Sequence, residues 1–262
     1  MVNMKQLTIS DIQTEGILFF EPALAEKCFT FCQVRDIEYL PALDDPWVIF
    51  KRDDETQKFI EKIIDENDFI NGDVNLFSAA VLEKFAVQPL LLVYNGNELS
   101  GVVHFSDYNK PVVSLYLYEL LFNYERALRS LLILHGYDNT SMIGYFEKKS
   151  STESEKTVKI YTEKIREYNE KGRKKKLPAF EVFYLTDLVE FTKHEKLISP
   201  PIDGKIYNLR NMVMHNNQFV EKKDSELDNM IYDFATFKVF FELVTHLHRD
   251  LQRVSNYLAF MR

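Results

Sequence analysis

Val87-Gln88-Pro89-Leu90-Leu91-Leu92-Val93-Tyr94-Asn95-Gly96-Asn97, then Ser100-Gly101-Val102-Val103-His104-Phe105-Ser106-Asp107, is the stretch on which the fold turns. Two apolar runs flank Asn95-Gly96, a pair suited to a tight hairpin turn because glycine reaches the positive φ such a turn needs. An Asp stands just past the second run. The same order occurs earlier. Ile37-Glu38-Tyr39-Leu40-Pro41-Ala42-Leu43 leads through Asp44-Asp45 into Pro46-Trp47-Val48-Ile49-Phe50-Lys51-Arg52-Asp53. Each copy reads as strand, polar turn, strand and Asp.

Helical patterns surround the two copies. Pro22 to Gln33 has a proline start and apolar spacing at helical intervals. Asp54 to Ile64 brings Phe59, Ile60, Ile63 and Ile64 onto one side of a predicted helix. Leu76 to Ala86 places Leu76, Ala79, Ala80, Leu82 and Phe85 for burial against a sheet. Residues 1–112 therefore read as an α/β module with an internal helix-strand-strand-helix repeat.

Residues 113–262 read as all-α, so the chain as a whole belongs to the α+β class. Pro111 opens a helix from Val113 to His135 with Leu117, Leu120, Leu121, Tyr124, Leu128, Leu131 and Leu132 as an apolar stripe. Glu125 and Arg129 lie four apart on it, in the order that favours an intrahelical pair, although an acidic residue on this helix could also orient Arg210. Mixed charges between Glu153 and Asn169 suggest a solvated helix. The basic run Lys171-Gly172-Arg173-Lys174-Lys175-Lys176 follows. It is either an exposed loop or a contact for RNA phosphates, and it lacks the aromatics that would stack on bases. Phe183 to Phe191 is a short apolar helix, Pro200-Pro201 a boundary, and Asp203 the start of another helix with Ile206, Leu209 and Val213 facing inward. A long helix from Ser225 to about Tyr257 closes the chain, carrying Met230, Ile231, Phe234, Phe237 and Phe241. His246 and His248 on it are two apart, a poor spacing for metal ligation, and no metal site is expected.

Composition bounds the function. The chain has 262 residues, 46% of them apolar, with few Gly and Pro, enough for a substantial core. No apolar run reaches bilayer length and the N-terminus lacks a secretory pattern, so a cytoplasmic protein is expected. Cys28 and Cys32 lie one turn apart and read as reduced packing residues. The net charge of −8 is uneven. Residues 1–112 carry nine Lys and Arg against nineteen Asp and Glu, and residues 113–262 carry twenty-three against twenty-one. Only the second region can approach a polyanion without long-range repulsion. Nothing in the pattern signals DNA specifically.

The second region also carries the clearest chemical motif, Leu209-Arg210-Asn211-Met212-Val213-Met214-His215. Arg210 offers a permanent cation whose planar fork suits a phosphate. His215 can exchange a proton near neutral pH. Asn211 and His215 share a helix face, whereas Arg210 is about 140° around from His215, so its arm must curl back or the two must converge through a partner chain. The alternative is a helix whose Arg pairs with a carboxylate.

These segments resemble two known families. The repeat resembles a pair of CBS domains (a Bateman module), strengthened by Phe105-Ser106-Asp107-Tyr108-Asn109-Lys110-Pro111, which looks like the lead from a CBS repeat into its following helix. The resemblance implies adenine-nucleotide binding (AMP, ADP or ATP), with Asp107 and Asp53 on the ribose and His104 near the phosphates. His104 and Phe50 stand where the family has its phosphate-touching Thr, so a scaffold role with both Asp capping the next helices stays open. The Arg210–His215 segment resembles the motif of HEPN four-helix bundles, many of which are metal-independent ribonucleases. That likeness implies catalysis by Arg210, Asn211 and His215, an RNA substrate, a homodimer and no required cofactor. Asn217 stands where some family toxins carry a modifiable Tyr. The competing reading is a non-catalytic nucleotide-sensing or regulatory dimer.

Overall fold

The structure is a computed structural model that describes residues 6–35, 37–151, 155–173, 176–198, 205–214, 219–223 and 230–261. The protein is α+β and forms two compact units. One comprises residues 2–114 and 218–241, the other 115–217 and 242–262.

In the first unit, Pro22–Leu24 forms a 3-10 turn that feeds α1 (Ala25–Arg35). Three strands follow as an antiparallel meander: β1 (Tyr39–Pro41), β2 (Val48–Asp53) and β3 (Lys58–Ile63). β3 overturns the helix expected over Asp54–Ile64. Phe59, Ile60, Ile63 and Ile64 fit a helical stripe, but they are also strong strand formers, and six residue pairs from Val48↔Ile63 to Asp53↔Lys58 are gained by turning back along β2. The turn itself is closed by Asp53, which accepts from the Glu55 amide at 3.0 Å and the Thr56 hydroxyl at 2.6 Å. Gln57 completes it at φ +54°.

The second sheet is built from β4 (Phe69–Asn71), β5 (Leu90–Asn95) and β6 (Glu98–His104). β4 runs parallel to β5 through the crossover helix α2 (Ala79–Val87), and β5–β6 is the hairpin read from sequence, with Gly96 at φ +65° in its two-residue loop. A 3-10 turn, Phe105–Asn109, then leads into α3 (Pro111–Leu134). The two sheets share a core of Ile49, Ile64, Leu92 and Tyr94. Trp47 stacks on Tyr94 at 5.1 Å, and the Tyr94 hydroxyl donates to the Pro46 carbonyl.

Residues 218–241 lie with the N-terminal unit because of aromatic packing. β7 (Glu221–Lys223) pairs with β8 (Met230–Tyr232), and α8 (Phe234–Phe260) begins immediately after. Phe237 packs on Tyr108 at 4.8 Å and on Phe85 at 5.7 Å. Phe219 stacks on Phe240 at 4.8 Å, and its amide donates to the Asn109 side chain at 2.7 Å. The helix expected from Ser225 therefore begins at Phe234, with Met230 and Ile231 in a hairpin instead. Asp233 sets the start by accepting from the Thr236 amide at 2.8 Å.

The second unit is helical: the rest of α3, α4 (Asn139–Ser150), α5 (Glu155–Glu167), α6 (Leu185–His194), α7 (Ile206–Met214) and the rest of α8. The α3 stripe is buried from Leu117 to Leu132, as its spacing predicts. α4 is an element that the sequence reading did not assign; Asp138 caps it by accepting from the Ser141 amide at 2.9 Å. Asp187 at the start of α6 is buried and pairs with Lys164 of α5. Cys28 and Cys32 are both free, and Cys32 is buried. Among the described residues, no helix is long and apolar enough to cross a membrane.

Candidate functional site

α7 buries Ile206, Leu209 and Val213, the three positions its period assigns to the core. That anchoring fixes the remaining faces of a nine-residue helix. Arg210 is left half-buried and Asn211 exposed, and the Arg210 guanidinium donates to the Asn211 side-chain oxygen at 3.3 Å. His215, the proposed proton carrier, lies outside the described residues, as do Lys174 and Lys175 of the basic run.

The second unit draws further charge to Arg210. Glu125 of α3 is half-buried and ion-paired to Arg129 one turn on, the pair expected from their spacing. Arg129 also reaches Glu181 at 3.5 Å. Burial raises the proton affinity of Glu125, and the positive charges of Arg129 and then Arg210 oppose that shift. Two guanidinium groups thus share the surroundings of one partly desolvated carboxylate. The Nε of Arg129 is buried with no hydrogen-bond partner among the described residues. Such a cluster places negative charge within the electrostatic reach of Arg210 while leaving its guanidinium donors for an oxyanion. Sequence spacing shows Glu125 and Arg129 as a pair and offers Glu125 as a partner for Arg210, but nothing in it links them to Glu181.

The residues singled out in the first unit are arranged differently. Asp53 lies in the β2–β3 turn, its carboxylate engaged by Glu55 and Thr56. Asp107 accepts from the His104 amide at 2.8 Å and pairs with Lys110 at 3.0 Å, which closes the 3-10 turn before α3. His104 sits at the end of β6, its Nδ1 accepting from the Ser106 amide at 3.1 Å. The proton of the neutral ring is therefore on Nε2. Burial lowers the pKa of His104 against the opposing pull of Asp107, so the ring is neutral at physiological pH. Of the three, only His104 lines the pocket of about 620 Å3 between the two sheets.

Other titratable groups are structural partners. Nε2 of His248 in α8 lies 2.6 Å from the Tyr116 hydroxyl, and burial pushes its pKa down to about 4. Among the described residues, no three His, Cys, Asp or Glu side chains group as a metal site would require. Set against known proteins, the chain matches no protein-family model and no curated protein.

Proposed function

We propose that the protein is a metal-independent endoribonuclease of the HEPN type, acting as a homodimer and regulated through its N-terminal unit. The reading rests on one observation above the rest: α7, held by Ile206, Leu209 and Val213, leaves Arg210 half-buried with its guanidinium on the Asn211 side chain and within the electrostatic reach of Glu125. A cation held in that way meets a phosphate with little reorganisation, which is the condition for electrostatic stabilisation of a developing oxyanion. In the proposed reaction, a ribose 2′-hydroxyl gives its proton to His215 and attacks the adjacent phosphorus. The bond to the 5′-oxygen of the following nucleotide breaks, that oxygen leaves with the proton returned by His215, and a 2′,3′-cyclic phosphate remains. Arg210 binds the non-bridging oxygens, and Asn211 positions either the imidazole or the substrate.

A second reading has its own support. The proximity of Glu125 to Arg210 is also what a structural arginine would show, and the pocket beside His104 suits a binding protein. On that reading the protein is a non-catalytic regulatory dimer that senses a small ligand. Cleavage of a mixed cellular RNA pool by the purified chain, with His215→Ala as control, separates the two. Loss of a general acid-base group costs about 100-fold or more. Cleavage that persists in EDTA, leaves cyclic phosphate ends and disappears in His215→Ala supports the nuclease. Cleavage unchanged in His215→Ala, or none by the dimer with or without nucleotides, removes it.

A further inference from the structure

The pocket between the two sheets of the first unit carries an inference that stands apart from the nuclease reading. Its walls are built by ties at both ends of one strap, residues 14–20. Thr14 exchanges two backbone hydrogen bonds with Val102 of β6, at 2.7 and 3.0 Å. The Phe20 amide donates to the Pro41 carbonyl at 2.8 Å, beside β1. The strap thus crosses from one sheet to the other, bending at Gly16, whose φ of +71° a side-chain-bearing residue rarely adopts. Opposite it, Arg52 donates to the carbonyls of Cys32 and Ile37 at 2.7 and 3.1 Å, which pins the link from α1 to β1. The pocket is a built feature of the unit, not a gap between loose loops.

Its lining is mostly apolar. Leu40 and Leu92 are buried within it, while Leu18, Phe31 and Leu90 remain 53%, 42% and 38% exposed. A volume of about 620 Å3 falls within the range that holds small organic ligands. Three charged side chains also line it: Glu15 on the strap, Arg35 at the end of α1 and Glu38 beside β1. All three are exposed. Among the described residues, none has an opposite charge within ion-pairing distance, although they share one pocket. Arg35 lies over the Phe31 ring at 5.8 Å instead. Opposite charges held apart around an apolar cavity suit a ligand with both signs at one end. His104 adds a donor, because its Nε2–H has no partner among the described residues while Nδ1 is taken by Ser106.

We propose that this pocket binds a hydrophobic zwitterion, namely an apolar amino acid or a short apolar peptide. Its carboxylate meets Arg35 and the His104 Nε2–H, its ammonium meets Glu15 and Glu38, and its side chain occupies the wall formed by Leu40, Leu90 and Leu92. A nucleotide fits the same surroundings poorly. Two carboxylates outnumber one guanidinium there, and residues 1–112 carry an excess of ten acidic side chains. That field repels a phosphorylated ligand. Asp53 and Asp107 are engaged in their own turns and lie outside the lining.

Calorimetry on the full chain tests this with phenylalanine, tryptophan and the phenylalanyl-phenylalanine dipeptide. Phenylpropionate, which lacks the ammonium, and phenethylamine, which lacks the carboxylate, serve as charge-edited probes, and AMP and ATP as competitors. The zwitterions should bind, and each edited probe should bind about three- to fivefold more weakly, the worth of a solvent-exposed ion pair. Arg35→Gln should weaken phenylalanine and phenylpropionate but leave phenethylamine unchanged, and the double change Glu15→Gln with Glu38→Gln should do the reverse. These positions are exposed, so folding should survive, and an unchanged thermal midpoint checks that. Leu90→Trp should abolish all three by filling the cavity. The proposal is overturned if the edited probes bind as well as phenylalanine, if AMP or ATP binds while the zwitterions do not, or if no probe binds at millimolar concentration.

Discussion

Asp107 and Arg210 satisfy their charges over very different distances along the chain. Asp107 is answered within three residues, by the His104 amide and by Lys110. Asp53 is alike, with Glu55 and Thr56. Arg210 has, among the described residues, one long local bond, to Asn211, and its charge is felt by Glu125, on another helix. A carboxylate consumed by its own turn defines local backbone and has little left for a ligand. A cation that a distant carboxylate senses without pairing to it within ion-pair distance keeps, among the described residues, donors for a ligand. The difference separates residues that shape the chain from residues that can act.

The largest expected effect tests the second kind. If Arg210 is a positioned phosphate ligand, Arg210→Ala should lower RNA cleavage about 100-fold or more, in the range seen when an oxyanion donor is removed. Arg210→Lys should recover little of that, because a point charge cannot reproduce the planar fork. Glu125→Gln keeps the shape and removes the charge that pairs with Arg129 and acts electrostatically on Arg210. It should lower kcat more than it raises KM, with a smaller loss than Arg210→Ala. Equal activity of Glu125→Gln and wild type would show that the carboxylate does not position Arg210.

His248 sharpens the same contrast by pH. It is again a long-range partner, facing Tyr116 from the other end of the second unit's sequence. Its folded pKa of about 4 lies below the ordinary value near 6.5. Between those values the unfolded chain binds a proton that the folded chain refuses, so stability rises with pH through that window and is flat above it. The change should be on the order of 2 kcal/mol, after allowance for the part of the ring that stays near solvent. Urea titrations from pH 4 to 7 should show this slope, and His248→Gln should flatten it. A slope unchanged in the variant would place the titrating group elsewhere.

These partnerships also mark how far the sequence could be read. The α3 stripe was legible because seven apolar residues from Leu117 to Leu132 keep one period over about four turns, and only a helix satisfies that. The β5–β6 hairpin was legible because Asn95-Gly96 demands a turn. β3 was not, since Phe59, Ile60, Ile63 and Ile64 satisfy both the helical spacing and strand propensity, and pairing with β2 decided between them. α4 went unseen because Met142, Tyr145 and Phe146 are sparse among polar residues, although the Asp138–Ser141 cap was there to be noticed. The Arg210 motif could be read as residue types. That an acidic residue of α3 could act on it was open from the order of the helices, but the part played by Glu181 was not, because it lies far from α3 in sequence and meets Arg129 only in the folded unit. Likewise, nothing local foretells that Phe237 meets Phe85 and Tyr108.

The smallest effect sets the two turn-closing aspartates against each other. Both accept backbone and side-chain hydrogen bonds, but Asp107 closes the turn that launches α3, whereas Asp53 closes an exposed hairpin. Loss of a capping side chain typically costs about 1 kcal/mol. Asp107→Ala should approach that figure, because the His104 amide is half-buried and Lys110 also loses its carboxylate. Asp53→Ala should cost less, since solvent can replace the lost partners at an exposed turn. Chemical denaturation of the two variants gives the comparison directly, and if the chain is the nuclease proposed above, neither substitution should change its RNA cleavage. Should Asp53→Ala prove the more damaging, the β2–β3 hairpin, and not the lead into α3, is the element on which the first unit depends.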